Sequence, residues 1–119
     1  MTLEQTLPIC IAGQWRQGRG ERYATRYPAT GEVVAWLNAA SLEDVEDAVQ
    51  GAHQAFLHSG WAQRKPHERA AVLYRMAHLI RERSEELAQL QRQDNGKPIS
   101  ETRALVASAA ATFQFFAAA

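Results

Sequence analysis

The stretch RYPATGEVVAWLNAAS, residues 26–41, decides the fold of this chain. Pro28 presets the backbone φ for a turn, and Gly31 tolerates a positive φ at its far end. ERYATRY before the turn and EVVAWL after it read as two strands of one hairpin. At Ser41 the apolar period changes from strand-like to helical. Ser41 with Asp44 three residues on resembles a capping box, and Glu43, Asp44, Glu46 and Asp47 suit the positive end of a helix dipole.

On the N-terminal side, PICIAGQW reads as two short strands broken by a turn at Ala12-Gly13-Gln14, and Gly18 and Gly20 mark a flexible turn. A pair of hairpins is marginal in water, so these must lie on something else. On the C-terminal side, SLEDVEDAVQGAHQAFLHSG sets Val45, Ala48, Val49, Ala52, Ala55 and Phe56 at helical spacing, with Gly60 as a stop. Pro66 fits the first turn of a second helix whose buried face is expected from Val72, Leu73, Met76, Leu79 and Ile80. Leu87 and Leu90 continue that face beyond a break near Ser84. Asn95-Gly96 reads as a C-cap with Pro98 just beyond. A last helix runs from about Ile99, with Leu105, Val106, Ala109, Phe113 and Phe116 as its core side. Ala107, Ala110, Ala111, Phe115 and Ala117 make it apolar on further faces, and such a helix is normally buried all round. Its cover is expected from chain beyond residue 119 or from another chain.

The expected fold class is therefore α+β by content, with hairpins over residues 1–40 and three to four helices over residues 41–119. At 119 residues the chain has the length of one modest domain, able to bury roughly 65% of its unfolded surface. Thirteen basic residues balance thirteen acidic ones, so nothing in the charge draws the chain to nucleic acid or an anionic membrane. Cys10 is the only cysteine, which excludes an internal disulfide and points to a reducing compartment, with cytoplasm as the expectation. The segment MTLEQTLPICIAG has neither a basic n-region nor a long apolar run and does not read as a signal peptide. No run of about 18 apolar residues is present to span a membrane.

Chemistry-bearing residues are few. Cys10 has no histidine near it in sequence and reads as a small apolar strand residue. His53, His58, His67 and His78 form no HExxH pair, and no Cys-x-x-Cys exists, so a zinc site has no support. GQWRQGRG fails both the G-x-G-x-x-G and the Walker patterns and has no helix opening behind it to face a phosphate. Asp94 stands near a helix C-terminus, where the dipole disfavours an acid. It either bonds the amides of the Asn95-Gly96-Lys97 turn or serves as an oxygen ligand for a cation.

Four segments carry a family resemblance. YPATGEVVAWLNAASLEDVEDAV resembles the opening of the aldehyde dehydrogenases, with their Asn-Pro-Ala-Thr-Gly-Glu turn, strand and Ser-x-Glu-Asp-Val helix start. WAQRKPHERAAVLYRMAHLIRERSEELAQL is similar to the following helix with its Pro-x-Glu-Arg entry. QDNGKPISET resembles the family's Asp-x-Gly-Lys-Pro segment, and ICIAGQW its first strand and turn. The four stand in family order and spacing over nearly the whole chain.

The resemblance implies that these residues form part of the α/β coenzyme-binding domain of a longer NAD(P)-dependent enzyme. That enzyme would oxidise an aldehyde to a carboxylic acid through a cysteine thioester. Betaine or amino aldehydes are the expected substrate class, with a homodimer or homotetramer as the assembly. The family's nucleophile, general base and dinucleotide site match no position here, so the residues in hand are expected to be inert alone. The alternative expectation is a natural short chain surviving as a binding or assembly module. The resemblance also implies a structural potassium or sodium ion held by Asp94 and the backbone oxygens of Thr25 and Arg26. Tyr27 departs from the family's Asn at that turn.

Overall fold

The computed structural model describes residues 6–119. Residues 1–5, the start of the segment read for a leader, lie outside the described residues. The chain divides into two compact units, Met1–Gly60 and Trp61–Ala119.

The first unit carries β1 (Thr6–Leu7), β2 (Ile9–Ile11), β3 (Gln14–Arg16), β4 (Arg22–Arg26), β5 (Val33–Asn38) and α1 (Leu42–His58). Both expected hairpins form. β2 and β3 pair antiparallel with Cys10 opposite Trp15. Their turn places Ala12 at φ 50° and Gly13 at φ 78°, two left-handed residues in a row, the backbone twist that a two-residue hairpin requires. β4 and β5 pair antiparallel, with Ala24 opposite Trp36 and a register shift between Thr25 and Arg26. The intervening turn closes through Gly31 N–H to Tyr27 O at 2.8 Å and Tyr27 N–H to Glu32 O at 2.9 Å, with Gly31 at φ 75°. Sequence reading missed β1, which adds to β5 in parallel and completes a sheet ordered β1-β5-β4. Ala35 is the buried centre of that sheet. On its edge the Arg22 guanidinium lies 4.3 Å from the Trp36 ring centroid, within cation–π range.

α1 has the expected capping box but not the expected burial. Of its residues only Asp44 is buried; the apolar stripe Val45, Ala48, Val49, Ala52, Ala55 and Phe56 is exposed. The helix touches the β2–β3 hairpin on its opposite side. A Cβ on Gly51 would come within 2.9 Å of the Ala12 methyl, so glycine permits that contact. The rotation of α1 is therefore set by polar and small residues, with its apolar stripe turned outward.

The second unit consists of a short 3-10 turn (Trp61–Gln63), α2 (Pro66–Glu82), α3 (Ser84–Asn95) and α4 (Ile99–Ala118). Pro66 is the first residue of α2, and Glu68 returns to accept the Lys65 N–H at 2.8 Å. The break falls at Arg83, one residue before the expected Ser84, and α3 ends at Asn95 with Gly96 as its C-cap at φ 73° in the left-handed region. Asn95 Oδ1 takes the Lys97 N–H at 3.0 Å, closing the turn that Pro98 leads into α4. α4 packs on both α2 and α3. Its buried residues are Thr102, Val106, Ala110 and Ala117, facing a seam whose buried members are Ala77 on α2 and Ala88 on α3. The core side thus differs from the expectation. Leu105 and Phe116, at 42% and 62% exposure, point away, while alanines and a threonine occupy the interface. Small side chains let helix axes approach closely, and the i, i+4, i+8 row of α4 supplies them. On α2, Val72, Met76 and Leu79 are likewise exposed, and Leu73 and Ile80 flank Ala77 half-buried.

Candidate functional site

The most organised polar cluster lies in the first unit and centres on Asp44. Ser41 and the α1 dipole fix its carboxylate at the helix N-terminus, with no accessible side-chain surface. Oδ2 accepts the backbone N–H of Arg19 at 2.8 Å and that of Ser41 at 3.0 Å. Oδ1 accepts Arg19 Nε at 2.8 Å and Arg16 Nη2 at 3.1 Å. Asp47, one turn on, accepts the same two guanidinium groups at 2.7 and 2.9 Å, and Glu43 lies 3.5 Å from Arg19 Nη1.

The electrostatics follow from these contacts. The Arg19 and Ser41 amides, joined by the Arg19 guanidinium, hold the Asp44 carboxyl far below the usual carboxylate range, outweighing the opposing effect of burial. Arg16 in turn lowers Asp47. A carboxylate offers about four lone-pair positions, and four donors fill those of Asp44. Both oxygens are thus occupied by donors and have no accessible surface, which leaves neither facing a substrate or a metal. Its work is to tie the β3–β4 connection to the start of α1.

The glycine-bearing stretch GQWRQGRG supplies that connection, and its glycines serve packing. A Cβ on Gly18 would sit 2.6 Å from the carbonyl oxygens of both Asn38 and Ala39, and one on Gly20 would sit 2.7 Å from Ala39 O. Gly20 N–H bonds Ala39 O at 2.8 Å, and the Asn38 amide reaches Gly18 O at 3.0 Å. The backbone these glycines expose is occupied by the end of β5, and the nearest helix N-terminus is filled by Asp44. The residues present do not fit a dinucleotide phosphate, so no catalytic step is assigned through one here.

The other residues singled out from sequence are scattered. Cys10 is exposed on β2. His78 pairs with Glu82 on α2 at 3.1 Å. Among the described residues no group of three or more His, Cys, Asp or Glu could hold a metal, and no helix is long and apolar enough to cross a membrane. Asp94 lies in the last turn of α3. Thr25 and Arg26 stand at the register shift of β4, where the ladder is interrupted. Carbonyl and carboxylate oxygens are the donor type that a hard cation takes.

The second unit carries ion pairs and an apolar groove. Glu85 on α3 and Arg103 on α4 form a two-pronged pair at 2.8 and 2.9 Å. That pair, with Gln89 as a further donor, lowers Glu85 to about 2. Between the helices runs an open groove of about 370 Å³ lined by Ile80, Leu87, Gln91, Leu105, Val106 and Ala109. The Gln91 Oε1 is buried there without a hydrogen-bond partner. A nucleophile with a base in reach, an oxyanion donor set and a titratable pair of opposed character are the parts of a reaction centre. Among the described residues the clusters set out above hold none of these.

Known proteins resemble this chain in sequence and fold. The model of the aldehyde dehydrogenase family matches residues 15–119. N-Succinylglutamate 5-semialdehyde dehydrogenase of Paraburkholderia xenovorans (strain LB400) is 43% identical over 103 residues, covering 87% of this chain and 21% of that protein. 4-(Hydroxymethyl)benzenesulfonate dehydrogenase TsaD1 of Comamonas testosteroni is 41% identical over 110 residues, covering 92% and 23%. The NAD+ complex of an aldehyde dehydrogenase from Bacillus cereus superposes with a TM-score of 0.89 at 34% identity, covering 98% of this chain and 24% of that one. The chain spans about a fifth of the length of the curated relatives it matches.

Proposed function

The chain belongs to the aldehyde dehydrogenase family, and from that premise we propose that it is a scaffold segment of an NAD(P)-dependent enzyme that oxidises an aldehyde to a carboxylic acid. The observation that carries this reading is the pairing of a family-matched fold with a site built only for support. Asp44 is saturated by four donors, and Gly18 and Gly20 are closed over by Asn38 and Ala39. The apolar faces fit the same reading. α4 leaves Leu105 exposed in the groove that Ile80 and Leu87 line, and Phe115 and Phe116 exposed near its C-terminus, surface that the further length of a family enzyme would cover. NAD(P) would accept a hydride in the reaction, and the residues described do not bind it.

Betaine and amino aldehydes are not singled out by any residue here. The reading commits only to an aldehyde, in a cytoplasmic homo-oligomeric enzyme. Potassium or sodium, on the Asp94 carboxylate and the Thr25 and Arg26 carbonyls, belongs to the same proposal and rests on the motif resemblance. Exchanging potassium for tetramethylammonium should lower the thermal midpoint, and an unchanged midpoint would remove the ion from the proposal.

The decisive experiment is an absorbance assay at 340 nm. The 119-residue chain, incubated with NAD+ or NADP+ and a panel of aliphatic, aromatic and amino aldehydes, should form no reduced cofactor above buffer. Sustained turnover abolished by Cys10→Ser would show that the chain carries its own reaction centre and would overturn the scaffold reading.

A further inference from the structure

Asn95-Gly96 is the only Asn-Gly pair in the chain, and it forms the C-terminal cap of α3. Gly96 has no Cβ to crowd its amide nitrogen, so attack of that nitrogen on the Asn95 side-chain carbon, closing a succinimide ring, meets little steric resistance. The cap both prepares this reaction and holds it back. Lys97 N–H donates to Asn95 Oδ1 at 3.0 Å, which draws electron density from Cγ and keeps the side-chain carbonyl over the turn. Gly96 N–H, in contrast, donates to Arg92 O at 2.9 Å, so the nucleophile is turned back into the helix. Asn95 is also the last residue of α3, where ψ stays near the helical value of about −42°, and ring closure needs ψ to swing away from it. Both restraints belong to a helix end, the part of a helix that opens most readily. Asn38, the other asparagine, is tied down more firmly. Its amide donates to Gly18 O at 3.0 Å, and the next nitrogen, Ala39 N–H, donates to Glu21 O at 2.8 Å within the β4–β5 sheet end.

We propose that Asn95 is a self-modifying site, at which opening of the α3 cap lets the chain convert this asparagine to aspartate or isoaspartate without an enzyme. In the open cap the Gly96 amide gives its proton to solvent base, and its electron pair attacks Asn95 Cγ. The new C–N bond forms as the Cγ–Nδ2 bond breaks, and Nδ2 leaves as ammonia after taking up a proton. Water then opens the imide at either carbonyl, which gives aspartate or isoaspartate at position 95. Either product sets a carboxylate next to Asp94 at the negative end of the α3 dipole. Isoaspartate also adds a methylene to the main chain, so the Gly96 to Arg92 bond cannot re-form in the same geometry. The turn that Pro98 leads into α4 is loosened there, and with it the packing of α4 on α3. All the reacting atoms lie in residues 95 and 96, so the inference depends neither on what covers the rest of the surface nor on the aldehyde dehydrogenase reading.

The test is ageing of the 119-residue chain at physiological pH, with peptide mass spectrometry to locate the product and an isoaspartate assay to divide its two forms. The folded chain should gain the mass of deamidation at position 95 and keep Asn38 intact. It should do so about tenfold or more slower than the same chain in guanidinium chloride, and that ratio should match the exchange protection of the Gly96 amide, since both events need the same opening. In guanidinium chloride, where folding plays no part, Gly96→Ala should slow the conversion about tenfold or more by placing a Cβ beside the attacking nitrogen. The purified isoaspartate form should melt below the Asn95→Asp variant, which carries the charge without the extra methylene. Conversion at Asn38 ahead of Asn95, equal rates in folded and unfolded chain, or a rate indifferent to Gly96→Ala would each overturn the proposal. An isoaspartate form as stable as the Asn95→Asp variant would remove its effect on the α3–α4 turn.

Discussion

Gly18→Ala separates a packing glycine from a phosphate-binding one. The added methyl would lie 2.6 Å from two backbone carbonyl oxygens, Asn38 O and Ala39 O. Both belong to the end of β5, which is fixed by Ala39 N–H to Glu21 O and Gly20 N–H to Ala39 O, each at 2.8 Å. No flexible side-chain tip is available to yield, so the backbone must part. Overpacking of this kind costs about 1–3 kcal/mol. Removing a glycine from the unfolded chain returns about 0.4–1 kcal/mol. With two oxygens struck at once, the upper half of the range applies, and the net loss is about 1–2.5 kcal/mol. Urea titration, with amide exchange at Gly20 and Ala39 as the local reporter, measures it. The midpoint should fall by roughly 1 M for a unit of this size, and both amides should lose protection. Gly31→Ala is the control, since open space surrounds that site. Its φ of 75° leaves a conformational cost of about 1 kcal/mol, without loss of the Ala39 contacts. Unchanged stability in Gly18→Ala would refute the reasoning, as would stabilisation of wild type by pyrophosphate or NAD+ that the variant lacks.

Two electrostatic outcomes follow from the same structure. Asp44→Asn keeps the shape but replaces an acceptor-only carboxylate with an amide whose NH2 must face either the two guanidinium donors or the two backbone N–H donors. The thermal midpoint of the first unit should drop by several degrees, more than for Asp47→Asn, whose carboxylate is half exposed; equal effects would show that Asp44 is no hub. Glu85, lowered to about 2 by Arg103 and Gln89, has a folded value below its unfolded one. Its contribution is therefore full above about 4.5 and disappears as pH falls toward 2. Wild type should lose stability across that window more steeply than Glu85→Gln, as followed by thermal melts at stepped pH, and parallel pH profiles would count against the pair.

What could be read from sequence was what neighbouring residues decide among themselves. Ala12-Gly13, Pro28 to Gly31, Ser41 with Asp44, Pro66, and Asn95-Gly96 each act within a span of four residues or fewer, and each turn, cap or break stands where its chemistry placed it. β1 escaped notice because two residues have no period, and its parallel partner β5 lies about thirty positions on. The helix faces were misassigned for a different reason. Apolar periodicity points to the largest apolar residues as the buried ones, yet the α2–α4 and α3–α4 seams run through Ala77, Ala88, Ala110 and Thr102. Close helix approach selects small residues, so size and burial run in opposite directions there. Asp44 was legible as a cap and not as a hub, because Arg16 and Arg19 precede it by 28 and 25 positions. An arginine pair just after a hairpin, with two acids a turn apart on the next helix, is a pattern that could have suggested the link. Asp94 stood out by its place near a helix C-terminus, whereas Thr25 and Arg26 came from motif resemblance alone.

The placement of α1 ties these points together. A helix whose strongest apolar stripe faces outward would ordinarily roll to bury it, since each large apolar side chain is worth about 1.5–3 kcal/mol when covered. Two restraints oppose that roll. Asp44 is locked by amides that precede the helix, so rotation would strip a buried carboxylate of its donors and leave it uncompensated. Gly51 sits against the Ala12 methyl with no room for a Cβ, so a roll would drive the alanine at 52 or the glutamine at 50 into the hairpin turn. The polar anchor therefore decides the orientation, and the exposed stripe is its consequence. This ordering makes a joint prediction. Asp44→Asn should free the roll and let Val45, Val49 and Phe56 turn toward the hairpin, so the pattern of amide protection along α1 should change together with stability. Exchange mapping of α1 amides in wild type and variant reports on it directly. A variant that is less stable but keeps the wild-type exchange pattern along α1 would show that something other than Asp44 fixes the face α1 presents.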